Sequence, residues 1–356
     1  MRARLRPARS EDAAMKAAVV VAPGRLEIQD LPAPEPGDYQ VLCEHLFGAV
    51  CAGTDRHLIS GELPLPGIEY PFVLGHETIG RVIAVGAKVR HFALGDLVTR
   101  TGYPASDGLM AFWGGFTGQG LATDALAMRD DGLPEADWQP HLVNRTLPPE
   151  TDPAAATMMI TWRETYSYIA RLGVGAGSRV AILGSGGNGF SFLVMARALG
   201  AETVVMVGNP HWTGLAARAG ASGFVDYRGD VAAGLAGACA SGYDLILDAV
   251  GRSGALEQTI DQLAADGKVA LYGIDDLRER MGYLQALSER GIATHGPGEY
   301  SEAEAHDAVL DLLAAGKLDA SIWFDPARPT ALTRFPEAIE AIDARRSLKA
   351  LIQLSG

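Results

Sequence analysis

The sequence predicts an α/β protein in two parts: a β-rich domain, then a doubly wound domain built on a parallel sheet. Three observations carry this. From Met15 the chain runs as short β-branched stretches broken by glycine and proline. Beyond residue 178, apolar strand-like runs alternate with helical patterns. At 356 residues the chain is also longer than one ordinary core serves.

Residues 1–14 hold four arginines and no apolar core of the kind a secretory signal needs, so they read as a flexible extension. Strands are expected over 16–22, before the punctuation of Pro23-Gly24, and over 41–50, 72–86 and 96–100. At 152 the character changes. Thr151 or Asp152 can cap a helix that Pro153 begins, and an apolar stretch follows to residue 170. Strands over 179–183, 202–207, 223–226, 243–249 and 268–272 then alternate with helices over 188–199, 212–219 and 256–265, the signature of a parallel sheet covered on both faces. The tail 331–354 returns to helix and strand and can rejoin the first domain. The expected division is a first domain over 15–155, a second over 156–300 and a closing segment over 301–356, with no internal repeat.

Hydrophobic content of 48% and charged content of 21% describe a globular chain. A formal charge of −13 argues against nucleic acid or an anionic membrane as partner, since both call for a concentrated basic face; beyond that it mostly reports solubility, and the partner expected from the motifs is a small-molecule substrate. Three cysteines, Cys43, Cys51 and Cys239, make no disulfide framework and suit a reducing, cytoplasmic setting. No apolar run reaches the length of a bilayer span.

Gly184-Ser185-Gly186-Gly187-Asn188-Gly189 directly follows the strand pattern RVAIL and opens a helix. A glycine cluster alone often marks an ordinary turn. Between strand and helix of a βαβ unit it points to a dinucleotide: Gly184 makes the tight turn, Gly186 admits the pyrophosphate, and Gly189 packs helix on strand. The helix N-terminus, Asn188 included, then faces the phosphates. The next strand ends in Gly208-Asn209-Pro210-His211 without the carboxylate that would grip the ribose 2′-hydroxyl of NAD. Room is left for the 2′-phosphate of NADP, with Asn209, His211 and Arg228 as partners; NAD bound without that contact is the alternative.

Cys51-Ala52-Gly53-Thr54-Asp55-Arg56-His57 and Gly75-His76-Glu77 supply a thiol, an imidazole and a carboxylate. Such a set suits a four-coordinate zinc with one position open to a substrate oxygen. Taken singly, a free cysteine is usually core and Gly-His-Glu can be a turn.

The stretch CAGTDRHLISGELPLPGIEYPFVLGHETIGRVIAVG resembles the catalytic domain of zinc-type medium-chain alcohol dehydrogenases, nearest their polyol and glucose dehydrogenase branch. The resemblance extends through GSGGNG, LILDAVG and GKVALYGI, most of the chain from Met15. It implies a GroES-like β domain, a Rossmann domain, and a homodimer or homotetramer. It also implies Cys51 and His76 as ligands of one catalytic zinc, with Glu77 a third ligand or a neighbour behind it. Thr54 would pass on the substrate proton, and Asp55 would orient a ligand. Three departures stand out. The family writes Cys-Gly-Thr/Ser-Asp, so aligned on GTD the ligand position falls on Ala52, and Cys51 reaches the metal only through a one-residue bulge. The four-cysteine lobe of a structural zinc is absent between Thr99 and Gly120. Counting back from Gly184, the last family ligand falls on Met159 or Ile160, which cannot serve.

Glu164 lies one helical turn beyond Ile160 on an apolar helix. It either approaches the metal, acts as acid or base, binds a polar substrate, or pairs with an arginine. Arg56 and His57 are expected to line the cleft, His45 to sit on a strand surface, and Phe112, Trp113 and Phe116 to wall the pocket or simply pack. The reading is zinc-assisted, NAD(P)-dependent interconversion of a secondary alcohol and its ketone. A zinc-free quinone or enoyl reductase of the same superfamily, and a non-catalytic dinucleotide-binding protein, are the alternatives.

Overall fold

The computed structural model describes residues 14–62, 67–106, 108–111 and 113–355. The expected extension therefore lies almost wholly outside the described residues, and so does Phe112; Ala14 opens the first strand.

The β-rich part is built on two sheets. In the larger, Gln40–Val50 is the central strand, antiparallel to Glu77–Val85 on one edge and, over different residues, to Gln119–Thr123 and Ala350–Gln353. The smaller sheet sets Ala14–Ala22 between Arg25–Pro32 and Phe72–Val73. The last strand is thus the chain's return, pairing Ala350 with Val50, one residue before Cys51. His45 corrects the expectation of a surface position: it is fully buried, with Nδ1 2.9 Å from the Thr117 carbonyl. It fits because Gly120 opposite lacks a side chain, whose Cβ would stand 2.5 Å from the ring. Burial pushes the imidazole down to about 4.

The second part is a six-stranded parallel sheet in the order Gly223–Asp226, Thr203–Gly208, Arg179–Leu183, Tyr243–Asp248, Leu263–Leu271, Ala293–His295. The order turns back between Arg179–Leu183 and Tyr243–Asp248. Outside the carboxyl ends of strands at such a reversal, side elements diverge and leave a crevice. Asp152 caps the short helix Pro153–Ala156, accepting from the Ala154 N–H at 3.0 Å, and Met159–Arg171 follows as a largely buried helix. The helix expected over 256–265 does not form. A 3₁₀ turn at Ile260–Gln262 leads into the strand Leu263–Leu271, whose backbone pairs with Tyr243–Asp248. Leu256, Ile260 and Leu263, which gave the helical spacing, instead pack on the core beneath the sheet. Where the strand's register shifts, Gly267 is required, since a Cβ there would lie 2.7 Å from the Tyr243 carbonyl.

Candidate active site

Cys51 ends the strand Gln40–Val50 and leads into the helix Ala52–Ser60 with extended backbone, φ −86° and ψ 101°. Asp55, one turn on, folds back: its Oδ2 accepts from the Cys51 N–H at 2.8 Å. Ala52 is thereby absorbed as the first helical residue, and the Cys51 thiol stays at the turn. From the other side Gly75, at φ +100°, brings the chain so close to Phe116 that a Cβ would meet its backbone nitrogen at 2.6 Å. His76 and Glu77 follow. Donor atoms of Cys51, His76 and Glu77 all lie within 4.8 Å of one another, the one such cluster among the described residues.

Asp55 Oδ1 stands 3.3 Å from His76 Nδ1, which leaves Nε2 toward the cluster, 3.7 Å from Glu77 Oε1. Burial pushes the His76 imidazole down, but the Asp55 carboxylate and the Cys51 thiol outweigh it and hold the pKa well above its usual value. The donor types fit a zinc ion. Their spread is wider than the roughly 3.5 Å that separates ligand atoms around a tetrahedral zinc. Glu77 is already engaged: Lys349 Nζ lies 2.6 and 2.8 Å from its two oxygens, and the Thr161 hydroxyl donates at 2.8 Å. Burial raises the Glu77 pKa, yet the Lys349 ammonium and His76 bring it below the ordinary range. Met159 and Ile160 are fully buried core.

On the facing wall, Gly184 turns the chain at φ +114°, and a Cβ on it would strike Val250 at 2.5 Å. Gly189 packs so tightly that a Cβ would sit 2.0 Å from the Gly184 carbonyl. Gly186, by contrast, caps the helix Gly187–Ala198 and faces open space, as a pyrophosphate cradle requires. Gly208 is pressed against Ser185, whose hydroxyl accepts from the Asn209 N–H at 2.9 Å. Asn209 Oδ1 accepts from the His211 N–H at 3.0 Å, and His211 Nε2 contacts the Arg345 carbonyl. Arg228 is spent on Asp226, 3.0 and 3.1 Å away, in the strand beside Gly208.

Between these walls lies a cavity of about 640 Å³ lined by Cys51, Thr54, Arg56, His57, His76, Glu164, Gly186 to Gly189, Tyr272, Tyr300 and Lys349. Thr54 Oγ1 is 3.7 Å from the Cys51 sulfur. His57 Nε2 is 3.6 Å from Asp275, and Arg56 pairs with Asp343 at 2.8 Å. Glu164 accepts a 2.9 Å hydrogen bond from the Tyr272 hydroxyl and lies 3.5 Å from Arg100. Burial and the neighbouring Glu302 raise its pKa against the pull of Arg100. The Trp113 ring lies 5.1 Å from His76 with the two planes tilted by 49°, and the Arg100 guanidinium sits 5.3 Å from the Trp113 ring. Phe116 walls nothing; it is buried against Phe335.

Lys349, Thr161, Tyr272, Tyr300 and Arg100 escaped the sequence reading. Two left a signal. Lys349 is a cation inside the apolar run LKALI, which calls for a buried anion, and Tyr272 follows a parallel strand at its carboxyl end, where ligands bind.

Two families match side by side: the alcohol dehydrogenase GroES-like domain over residues 37–137 and the zinc-binding dehydrogenase family over 189–315. An L-threonine 3-dehydrogenase of Saccharopolyspora erythraea is 29% identical over 93% of this chain and 96% of its own length. A sorbitol dehydrogenase of Bacillus subtilis is 24% identical over 86% and 87%. Among solved structures, benzyl alcohol dehydrogenase from Acinetobacter calcoaceticus superposes with TM-score 0.77 at 20% identity, covering 96% of this chain and 100% of that one. At that identity the superposition speaks for the fold. With both domains matched in order and the cysteine, histidine and glycine loop facing one cleft, the chain belongs to the zinc-type medium-chain alcohol dehydrogenase superfamily.

Proposed function

We propose that the cleft interconverts a secondary alcohol of the polyol, sugar or cyclitol type and its ketone, using a nicotinamide dinucleotide and one catalytic zinc. The observation that carries this is the convergence of Cys51 and His76 on the same cavity that the open face of Gly186 lines. When bound, zinc would supply Lewis acidity at the substrate hydroxyl and the nicotinamide a hydride acceptor. Cys51 and His76 would hold the ion, with Glu77 behind or beside them, and Asp55, whose Oδ1 stands 3.3 Å from Nδ1, would orient the His76 ring. Thr54, beside Cys51, would pass the hydroxyl proton on toward bulk water, and His57 lines the same cavity as a further acid–base group. Glu164 and Tyr272 offer an acceptor and a hydroxyl to the remaining groups of a polyhydroxylated substrate.

The missing carboxylate after Val207 supports NADP, with Asn209 and His211 nearest the 2′-phosphate and Arg228 free to join once it leaves Asp226. The cysteine content supports a cytoplasmic setting, the lack of a four-cysteine lobe between Thr99 and Gly120 supports a single, catalytic zinc, and the family resemblance supports a homodimer or homotetramer. Among the described residues no helix is long and apolar enough to cross a membrane.

Two observations favour a second reading, a zinc-free reductase on the same fold: Glu77 is already neutralised by Lys349, and Met159 and Ile160 offer no ligand. Metal analysis of protein purified without chelator separates the two. About one zinc per chain, lost together with coenzyme-dependent alcohol oxidation in Cys51→Ser, is the expected result. Retained metal and turnover in that variant would remove Cys51 from the site.

A further inference from the structure

We infer that Lys349 and the metal ion compete for the Glu77 carboxylate, so that Lys349 sets how tightly the cleft holds its metal. The inference rests on the metal reading above and adds what that reading lacks, the fate of the third ligand.

Both partners are out of solvent, with side-chain exposure of 1% for Lys349 and 2% for Glu77. The ammonium covers both carboxylate oxygens, and Thr161 takes a further lone pair of Oε1. An ionised carboxylate has about four lone-pair positions, so little acceptor capacity is left for an ion. Nor is the lysine free to drift. Its backbone N–H donates to the Trp323 carbonyl at 3.1 Å, and Trp323 in turn donates from Nε1 to the Gly187 carbonyl at 2.8 Å. Its stem lies against Gly187, where a Cβ would sit 3.3 Å from Cγ and Cε.

A divalent cation and an ammonium seek the same charge. In a buried site neither can share it at low cost, because each repels the other and a stranded ammonium is expensive. While Lys349 stays in place, the ion is left with the Cys51 sulfur and the His76 nitrogen. Removing the lysine's charge hands Glu77 to the ion. The opposite role, a brace that aims Glu77 at the metal, predicts the opposite sign.

The test is Zn²⁺ affinity of the full chain, read by competition with a chromophoric chelator. Wild type is compared with Lys349→Gln, which keeps one donor for Glu77, with Glu77→Gln, and with the double variant. Lys349→Gln should bind Zn²⁺ about tenfold or more tightly, the scale on which outer partners tune a metal site. In the Glu77→Gln background the same change should have no effect. Melting temperatures with and without Zn²⁺ give a second readout: the metal should raise that of Lys349→Gln by more than that of wild type. Unchanged or weakened Zn²⁺ binding in Lys349→Gln, with wild type binding normally, overturns the competition and leaves the proposed function standing. If neither protein takes up Zn²⁺, both fall.

Discussion

Glu164 is one carboxyl with two allegiances, and a single substitution separates them. Its Oε2 accepts from Tyr272, its Oε1 faces Arg100 at 3.5 Å, and the group borders the cavity. If it binds a second hydroxyl of the substrate, Glu164→Gln removes a charge-assisted hydrogen bond worth about 1.5–3 kcal/mol. The expected outcome is a fall of roughly ten- to a hundredfold in kcat/KM for a polyol, with a simple secondary alcohol changed by less than about threefold. Equal losses on both substrates would make Glu164 only the counter-ion of Arg100. At this scale the sequence was legible where chemistry is local. Cys51, His76 and Glu77 declare themselves by residue type and by short spacing along the chain. Lys349 declares only that it needs an anion and not which one, because Glu77 is 272 residues away and only the chain's return brings them together. The Ala52 offset also could not be judged from spacing, since it is resolved by Asp55 folding back onto the Cys51 N–H.

The strand Arg179–Leu183, the glycine loop after it and the helix Gly187–Ala198 were the most legible element, because each glycine answers a separate backbone demand. Those demands differ enough to be tested apart. Gly186 has nothing within 4 Å of where its Cβ would stand and an ordinary negative φ of −87°, so Gly186→Ala leaves the fold intact. Its methyl enters the space a pyrophosphate needs, and coenzyme affinity should fall about tenfold or more with an unchanged melting temperature. Gly189→Ala drives its methyl into the Gly184 carbonyl, so helix and strand must part, costing about 1–3 kcal/mol of stability as well as coenzyme binding. Titration of NADPH fluorescence beside thermal melts checks both. Equal effects of the two substitutions on stability would mean that Gly186 is there for the turn and not for the ligand. The element misjudged, 256–265, shows the limit of periodicity. Apolar residues spaced for a helix serve equally well to cover the core from a turn and an extended strand, and the choice was made by the open edge of Tyr243–Asp248.

Across the whole molecule the two parts are joined by charge as well as by the returning strand. Arg100 comes from the edge of the β-rich sheet, Arg163 from the buried helix Met159–Arg171, and both meet Glu302 at the start of the helix Glu302–Ala314, at 3.1 and 2.8 Å. The three side chains are 10%, 0% and 4% exposed, and the helix N-terminus adds its own preference for the anion. Sequence alone reveals that charges on apolar helices need partners, but not that one glutamate answers two arginines from different layers. Because the Arg163 guanidinium is wholly out of water and pairs with Glu302, Glu302→Gln strands it and leaves Arg100 with Glu164 alone, at a cost of about 3–5 kcal/mol in chemical denaturation. Salt should alter that loss little, since buried charges are poorly screened. The exposed pair Arg334 with Glu337 is the control: Glu337→Gln should leave stability close to that of wild type, because a solvent-exposed ion pair is screened by water. The same change has a reach into the cleft. With Glu302 neutral, the anion left facing Arg100 is Glu164, so Glu302→Gln should raise KM for a polyol while leaving that for a simple alcohol near its wild-type value. A variant as stable as wild type would show that the arginines carry their charge by other means, and that the junction between the two parts does not depend on this ion cluster.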